Sequence, residues 1–144
     1  MRVIQEQRQE FFDFASRVLG VEYRHEHGDR VIANVCNDGN ILAVSVYSHF
    51  TATNCEMSIA SDGSRRWMSK GFLKVSYLYP FIQCGLLRVT GIVEPDNTEA
   101  LRLDEHIGMV REGVLRNWFK GKDGTVKDGI LMGMTREECK WIRM

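Results

Sequence analysis

No two cysteines in this chain form a CxxC pair. The four, Cys36, Cys55, Cys84 and Cys139, are spread widely through 144 residues. Their spacing excludes the zinc-ribbon and thioredoxin patterns, and their apolar surroundings predict buried free thiols in a reducing compartment. Charge of one sign is also lacking: 19 Lys and Arg face 19 Asp and Glu, for a formal net charge of zero. A neutral chain has no electrostatic footprint for general polyanion binding, so nucleic acid is not an expected partner. No apolar run reaches the roughly 18 residues of a membrane span, and nothing resembles a signal peptide. A membrane partner is therefore not expected, and the expected location is the cytoplasm. Repeats, linkers and low-complexity stretches are absent as well. The length suits one domain with a single core, spanning residues 1–144.

What is present alternates between two periods. "EQRQEFFDFASRVLG" places Phe11, Ala15, Val18 and Leu19 on one side of a helix that Gly20 stops. "RVIANVC" and "ILAVSVYSHF" flank "NDGN", a hairpin turn with Asp-Gly at its centre. "NCEMSIAS" reads as a third strand, with Cys55, Met57 and Ile59 on one face and Asn54, Glu56 and Ser58 on the other. Phe72, Val75, Tyr79 and Ile82 then recur at helical spacing, with Pro80 inside the pattern to kink or shorten it. "LLRVTGIV" is mostly apolar, of the kind buried on both faces. "DNTEALRLDEHIG" is a helix capped by Asp96 or Asn97, with Ala100, Leu103 and Ile107 as its inner stripe and Gly108 at its end. "VREGVLRNWF" and "VKDGILMGM" form a second hairpin around "KGKDGT", and "TREECKWIRM" is a short helix or coil. The order predicts one α/β domain with a mixed sheet.

Between the third strand and the second helix lies "GSRRWMSKG", residues 63–71. A strand-to-helix turn of any soluble protein uses Gly, Ser and charged residues. The same turn can also do specific work: N–H groups at a helix start, with Arg and Lys beside them, hold phosphate oxygens. The start of the helix near Ser69–Phe72 offers several such donors at one point.

Three pieces in this order resemble the GNAT family of acetyl-CoA-dependent N-acetyltransferases. Arg66-Trp67-Met68-Ser69-Lys70-Gly71 looks like the family's pyrophosphate loop, Q/R-x-x-G-x-G/A, with Ser69 where the family usually has Gly. Residues 97–109, "NTEALRLDEHIGM", are similar to its N-x-x-A/S…L-G-F element, and "VREGVLRNWF…DGILMGM" to the closing hairpin of its ribosomal-protein branch. The details look like those of short phage or bacterial members, and the likeness covers about two-thirds of the chain. It implies a central, mainly antiparallel mixed sheet flanked by helices. It also implies acetyl-CoA as acetyl donor, its pyrophosphate on residues 66–72 (Phe72 included), its arm against Ser58, Ile59 and Ala60, and Asn97 as a further cofactor contact. Helix capping alone would equally explain Asn97. The expected activity is acetyl transfer to a primary amine of a protein or a small molecule; a second copy of the chain is an optional partner.

Acyl transfer needs a neutral amine, a stabilised oxyanion and a proton for the leaving thiolate. Glu56, the only acid of the central strand pair, is the candidate base; a salt-bridging strand carboxylate is its bland alternative. Asp104 stands where many relatives place the tyrosine acid, seven residues after Asn97. An ordinary Asp is ionised at neutral pH, so Asp104 needs a raised pKa, or another group supplies the proton. These departures leave a second reading open: a GNAT-shaped interaction or phage structural protein without catalysis. His25 and His27 have strand spacing but no third ligand nearby, so no metal is expected. His49 could assist proton transfer. Trp67, Trp118 and Trp141 read as core or surface anchors. Arg65 and Arg66 either reach the adenosine 3′-phosphate or stay solvated.

Overall fold

A computed structural model describes residues 1–64 and 66–144; Arg65 lies outside the described residues. The strands are β1 (Arg2–Ile4), β2 (Arg30–Val35), β3 (Ile41–Ser48), β4 (Asn54–Ser61), β5 (Arg88–Val93), β6 (Val110–Lys120) and β7 (Val126–Thr135). The helices are α1 (Gln9–Leu19), α2 (Lys70–Leu78) and α3 (Thr98–Ile107). One seven-stranded sheet runs β1-β2-β3-β4-β5-β7-β6. Every pairing in it is antiparallel except β4 with β5. This is the mixed, mainly antiparallel sheet expected, with β1 added at its edge.

Helix α1 lays Phe11, Phe12, Phe14 and Ala15 on one face of the sheet, against Val31, Ala33, Val44, Val46 and Ala60. Val18, expected in that stripe, is exposed because the helix meets the sheet through its first two turns. The other face carries α2, α3 and the C-terminal turn, packed on Cys55, Met57, Val89, Met132 and Met134. Only Leu101 and Ile107 of α3 are fully buried, while Ala100 and Leu103 are half-buried. In β5 the expectation of two buried faces fails: Val89, Gly91 and Val93 are buried and alternate with half-exposed Arg88, Thr90 and Ile92. Cys55 and Cys139 are buried as expected, but Cys36 is half-buried and Cys84, in the turn after α2, is exposed.

Pro80 does more than shorten α2. Having no N–H, it leaves the Ser76 carbonyl without its helical partner. Tyr47 Oη donates to that carbonyl at 2.6 Å, and Ser45 Oγ lies 2.8 Å from Ser76 Oγ. The chain continues through a π-type turn, Tyr79–Gln83, closed by Cys84 N donating to Tyr79 O at 2.9 Å. Two residues of β3 therefore stitch the C-terminal part of α2 to the sheet where its own ladder is broken.

Candidate active site

β4 and β5 are parallel neighbours over three residues only: Asn54 with Arg88, Cys55 with Val89, and Glu56 with Thr90. Beyond that point the strands part, although β4 stays paired to β3 as far as Ser61 and β5 to β7 as far as Val93. Backbone groups alternate in direction along a strand. Thr53 O accepts from Leu87 N and Arg88 N on the β5 side, whereas Asp62 N donates to Leu42 O on the β3 side. A Cβ built on Gly91 would lie 3.6 Å from Met57 O. The odd-numbered residues thus turn their backbone towards β5, and in the open wedge those are Met57 and Ile59. Of the three residues expected to line the wedge, Ile59 offers backbone groups to it, while Ser58 and Ala60 pair with β3.

The N-terminus of α2 lies beyond the end of β4. Ser69 is its N-cap, and Ser69 Oγ accepts from Phe72 N at 3.1 Å. The side chain that departs from the Gly of the motif is therefore engaged as a helix cap. The N–H groups of Lys70 and Gly71 open the helix, where no intrahelical acceptor exists. A Cβ on Gly71 would meet nothing within 4 Å, so the space over this end is open. Trp67 and Phe72 turn their rings into the core, edge to face at 6.2 Å between centroids. Trp67 also fixes the loop, since its carbonyl accepts from the buried Asn34 Nδ2 at 3.0 Å. Met68 and Arg66 are exposed, with Arg66 Nη2 3.8 Å from Asp62 Oδ2. Asn97 caps α3, its Oδ1 accepting from Ala100 N at 3.2 Å, the structural one of its two readings.

Asp104 sits on the α3 side of the wedge. Its Oδ2 would be 3.8 Å from a Cβ on Gly91, the first residue of β5 past the split. Burial, with Glu105 adding repulsion, pushes its carboxyl up to about 6. Glu56 lies on the opposite face, beside the same split, and His49 Nδ1 is 2.6 Å from its Oε2. His49 has φ 50°, a left-handed conformation that costs an L residue about 1 kcal/mol. It turns the chain at the end of β3 and brings His49 and Phe50 to a cavity of 530 Å³, whose wall also includes Tyr23, Asp29 and Ser48. Sequence reasoning missed Tyr23 and Asp29, which nothing in their own neighbourhood marks as functional. His25 and His27 form a 3₁₀ turn rather than a strand, so their alternating spacing has no meaning there. Among the described residues no group of three His, Cys, Asp or Glu could hold a metal ion. No described helix is long and apolar enough to cross a membrane.

The wedge and the α2 N-terminus can be compared with known proteins. No family model matches the chain. It is 37% identical over 76 residues to the SPbeta prophage-derived uncharacterized N-acetyltransferase YokL of Bacillus subtilis, covering 50% of this chain and 42% of that one. The match thus spans less than half the length of this curated relative. Among solved structures, a chimera of the spermidine N-acetyltransferase SpeG of Vibrio cholerae and hSSAT superposes with a TM-score of 0.76 at 16% identity, over 98% of both chains. Dodecameric spermidine N-acetyltransferase from Vibrio cholerae gives 0.67 at 19% identity, over 78% of this chain and 68% of that one. Seven strands in this order, split between β4 and β5 beside a helix N-terminus, are the fold of the GNAT acetyltransferases.

Proposed function

We propose that this chain is an N-acetyltransferase that moves an acetyl group from acetyl-CoA to a primary amine of a protein or a small molecule. The observation that carries the reading is the wedge between β4 and β5, with an open helix N-terminus beyond it and one carboxylate on each of its faces. The residues present fit the cofactor. Lys70 and Gly71 N–H groups, in the positive field of the helix end, would hold a diphosphate, with exposed Arg66 beside them. The Met57 and Ile59 backbone would take the place of a missing strand partner for the pantetheine arm. When bound, acetyl-CoA supplies an acetyl thioester.

The chain's own groups handle the protons. Transfer forms an N–C bond and breaks a C–S bond; the amine gives up one proton and the sulfur gains one. Glu56 takes the first: its Oε2 is held by His49, and Oε1 remains to accept from the amine. Asp104 supplies the second. Because burial holds its pKa near 6, about a tenth of the carboxyl is protonated at pH 7, far more than for an ordinary Asp. Self-association belongs to the same proposal. β6 is an outer strand with Val110, Val114 and Trp118 exposed, the edge on which a second copy would dock. The test is release of CoA thiol from acetyl-CoA with a panel of amines and peptides. Glu56→Gln is expected to retain acetyl-CoA binding and lose on the order of 10² to 10⁴ in turnover. Turnover equal to wild type would remove Glu56 from the reaction.

A further inference from the structure

The cavity between the end of β3 and the α1–β2 connection carries more chemistry than one reacting amine requires. Asp29 lines it and is only 7% exposed. Asp29 Oδ2 accepts from Arg24 N at 2.9 Å, and Oδ1 has no hydrogen-bond donor among the described residues. No described cation forms an ion pair with this carboxylate. The nearby cations are committed elsewhere: the Arg24 guanidinium pairs with Glu22 and Glu26, and Arg30 Nη1 donates to the carbonyls of His25 and Asp29. A buried carboxylate without a counter-ion is costly, and an opening to a cavity is where an external cation can offset that cost.

The walls suit the same ligand. Tyr23, Phe50, His27 and His49 give the cavity aromatic sides, and Val21 adds an apolar one. Aromatic faces attract ammonium groups as well as alkyl chains. The Tyr23 hydroxyl has its pKa raised, first by burial and then by the negative charges of Asp29 and Glu56. Ser48, also in the wall, is the register partner of Glu56. The cavity thus holds Asp29 in one wall and, in another, His49, the partner of the proposed base Glu56.

We propose that this cavity is the acceptor site and that it selects a primary amine bearing a second positive charge, an alkyl diamine whose distal ammonium rests against Asp29. The proposal rests on the acetyltransferase reading above and adds the substrate class. The acid at Glu56 serves the reacting nitrogen; the acid at Asp29 serves the other one. A monoamine of the same length fills the aromatic channel but leaves Asp29 without its counter-ion.

The experiment compares butylamine with putrescine, and with a peptide carrying a free N-terminus, as acceptors for the wild-type protein. Putrescine is expected to show the higher kcat/KM, through a lower KM, and its advantage to shrink as salt rises. Asp29→Asn keeps an oxygen for Arg24 N and is expected to reduce the putrescine-to-butylamine ratio of kcat/KM by roughly ten- to a hundredfold. Equal kcat/KM for the two amines in the wild type overturns the proposal without need of the variant. Acetylation of the peptide alone overturns the diamine site and leaves the acetyltransferase reading standing. Acetylation of none of the three overturns both.

Discussion

Replacing Asp104 by Asn should stabilise this protein while it damages the reaction. In the folded chain the carboxyl is raised from 3.8 to about 6, with burial as the main cause. Between those values the native state holds a proton that the unfolded state has lost. Stability from this group is fully present below pH 3.8 and disappears as pH rises through 6. A shift of about 2 units corresponds to about 3 kcal/mol, which the wild type forgoes at pH 8. Asn has the same shape and no charge, so Asp104→Asn should recover up to about 3 kcal/mol at pH 8 and almost nothing at pH 4. For a chain of this size that is roughly 6–12 °C in Tm. The assay is urea unfolding of both proteins at several pH values from 4 to 8, with turnover measured alongside. The two stability curves should diverge upward from pH 4 and run parallel above pH 7, while the variant loses turnover because an amide N–H is far too weak an acid to protonate the thiolate. Curves that stay parallel over the whole range would refute burial of an ionised Asp104 in the wedge.

Three other outcomes follow from the same geometry. Arg66→Glu should weaken acetyl-CoA binding, read by calorimetry, with little change in melting temperature, because the side chain is exposed at the helix end that would meet the diphosphate. Tyr47→Phe should cost about 1–3 kcal/mol in chemical denaturation, since it leaves the Ser76 carbonyl buried with neither a helical nor a side-chain donor. Val114→Lys should shift the protein towards monomer in sedimentation, because it puts a charge on the exposed edge of β6.

Much of this fold was legible because local chemistry and tertiary structure agree. The Asp-Gly turn joins β2 to β3, Ser69 and Asn97 cap α2 and α3, and Gly20 and Gly108 end α1 and α3. The alternation along "NCEMSIAS" is that of β4, and Pro80 marks the place where α2 gives way to a wider turn. Other features have no local signature. β1 is three residues long and exists only through pairing with Val35, Asn34 and Ala33. β5 has the composition of a doubly buried strand, but the arginine and threonine within it face the outer side, and composition cannot show which face is covered. At the site, the two carboxylates proposed for catalysis were visible as residue types at positions that the family resemblance marks. The raised pKa of Asp104 was not, because it depends on burial of the carboxyl beside Gly91 of β5, thirteen residues away in sequence. Tyr23 and Asp29 lie about thirty residues before Glu56, and only the packing of the α1–β2 connection under β4 brings them to one cavity.

The central claim is that the cofactor enters between β4 and β5 with its diphosphate on the start of α2. A crystal structure of the protein with CoA tests it most directly. The account predicts diphosphate oxygens within hydrogen-bond distance of the Lys70 and Gly71 N–H groups, and the pantetheine arm paired with the Met57 and Ile59 backbone. CoA bound elsewhere on the chain, or no bound CoA at millimolar concentration, would contradict it.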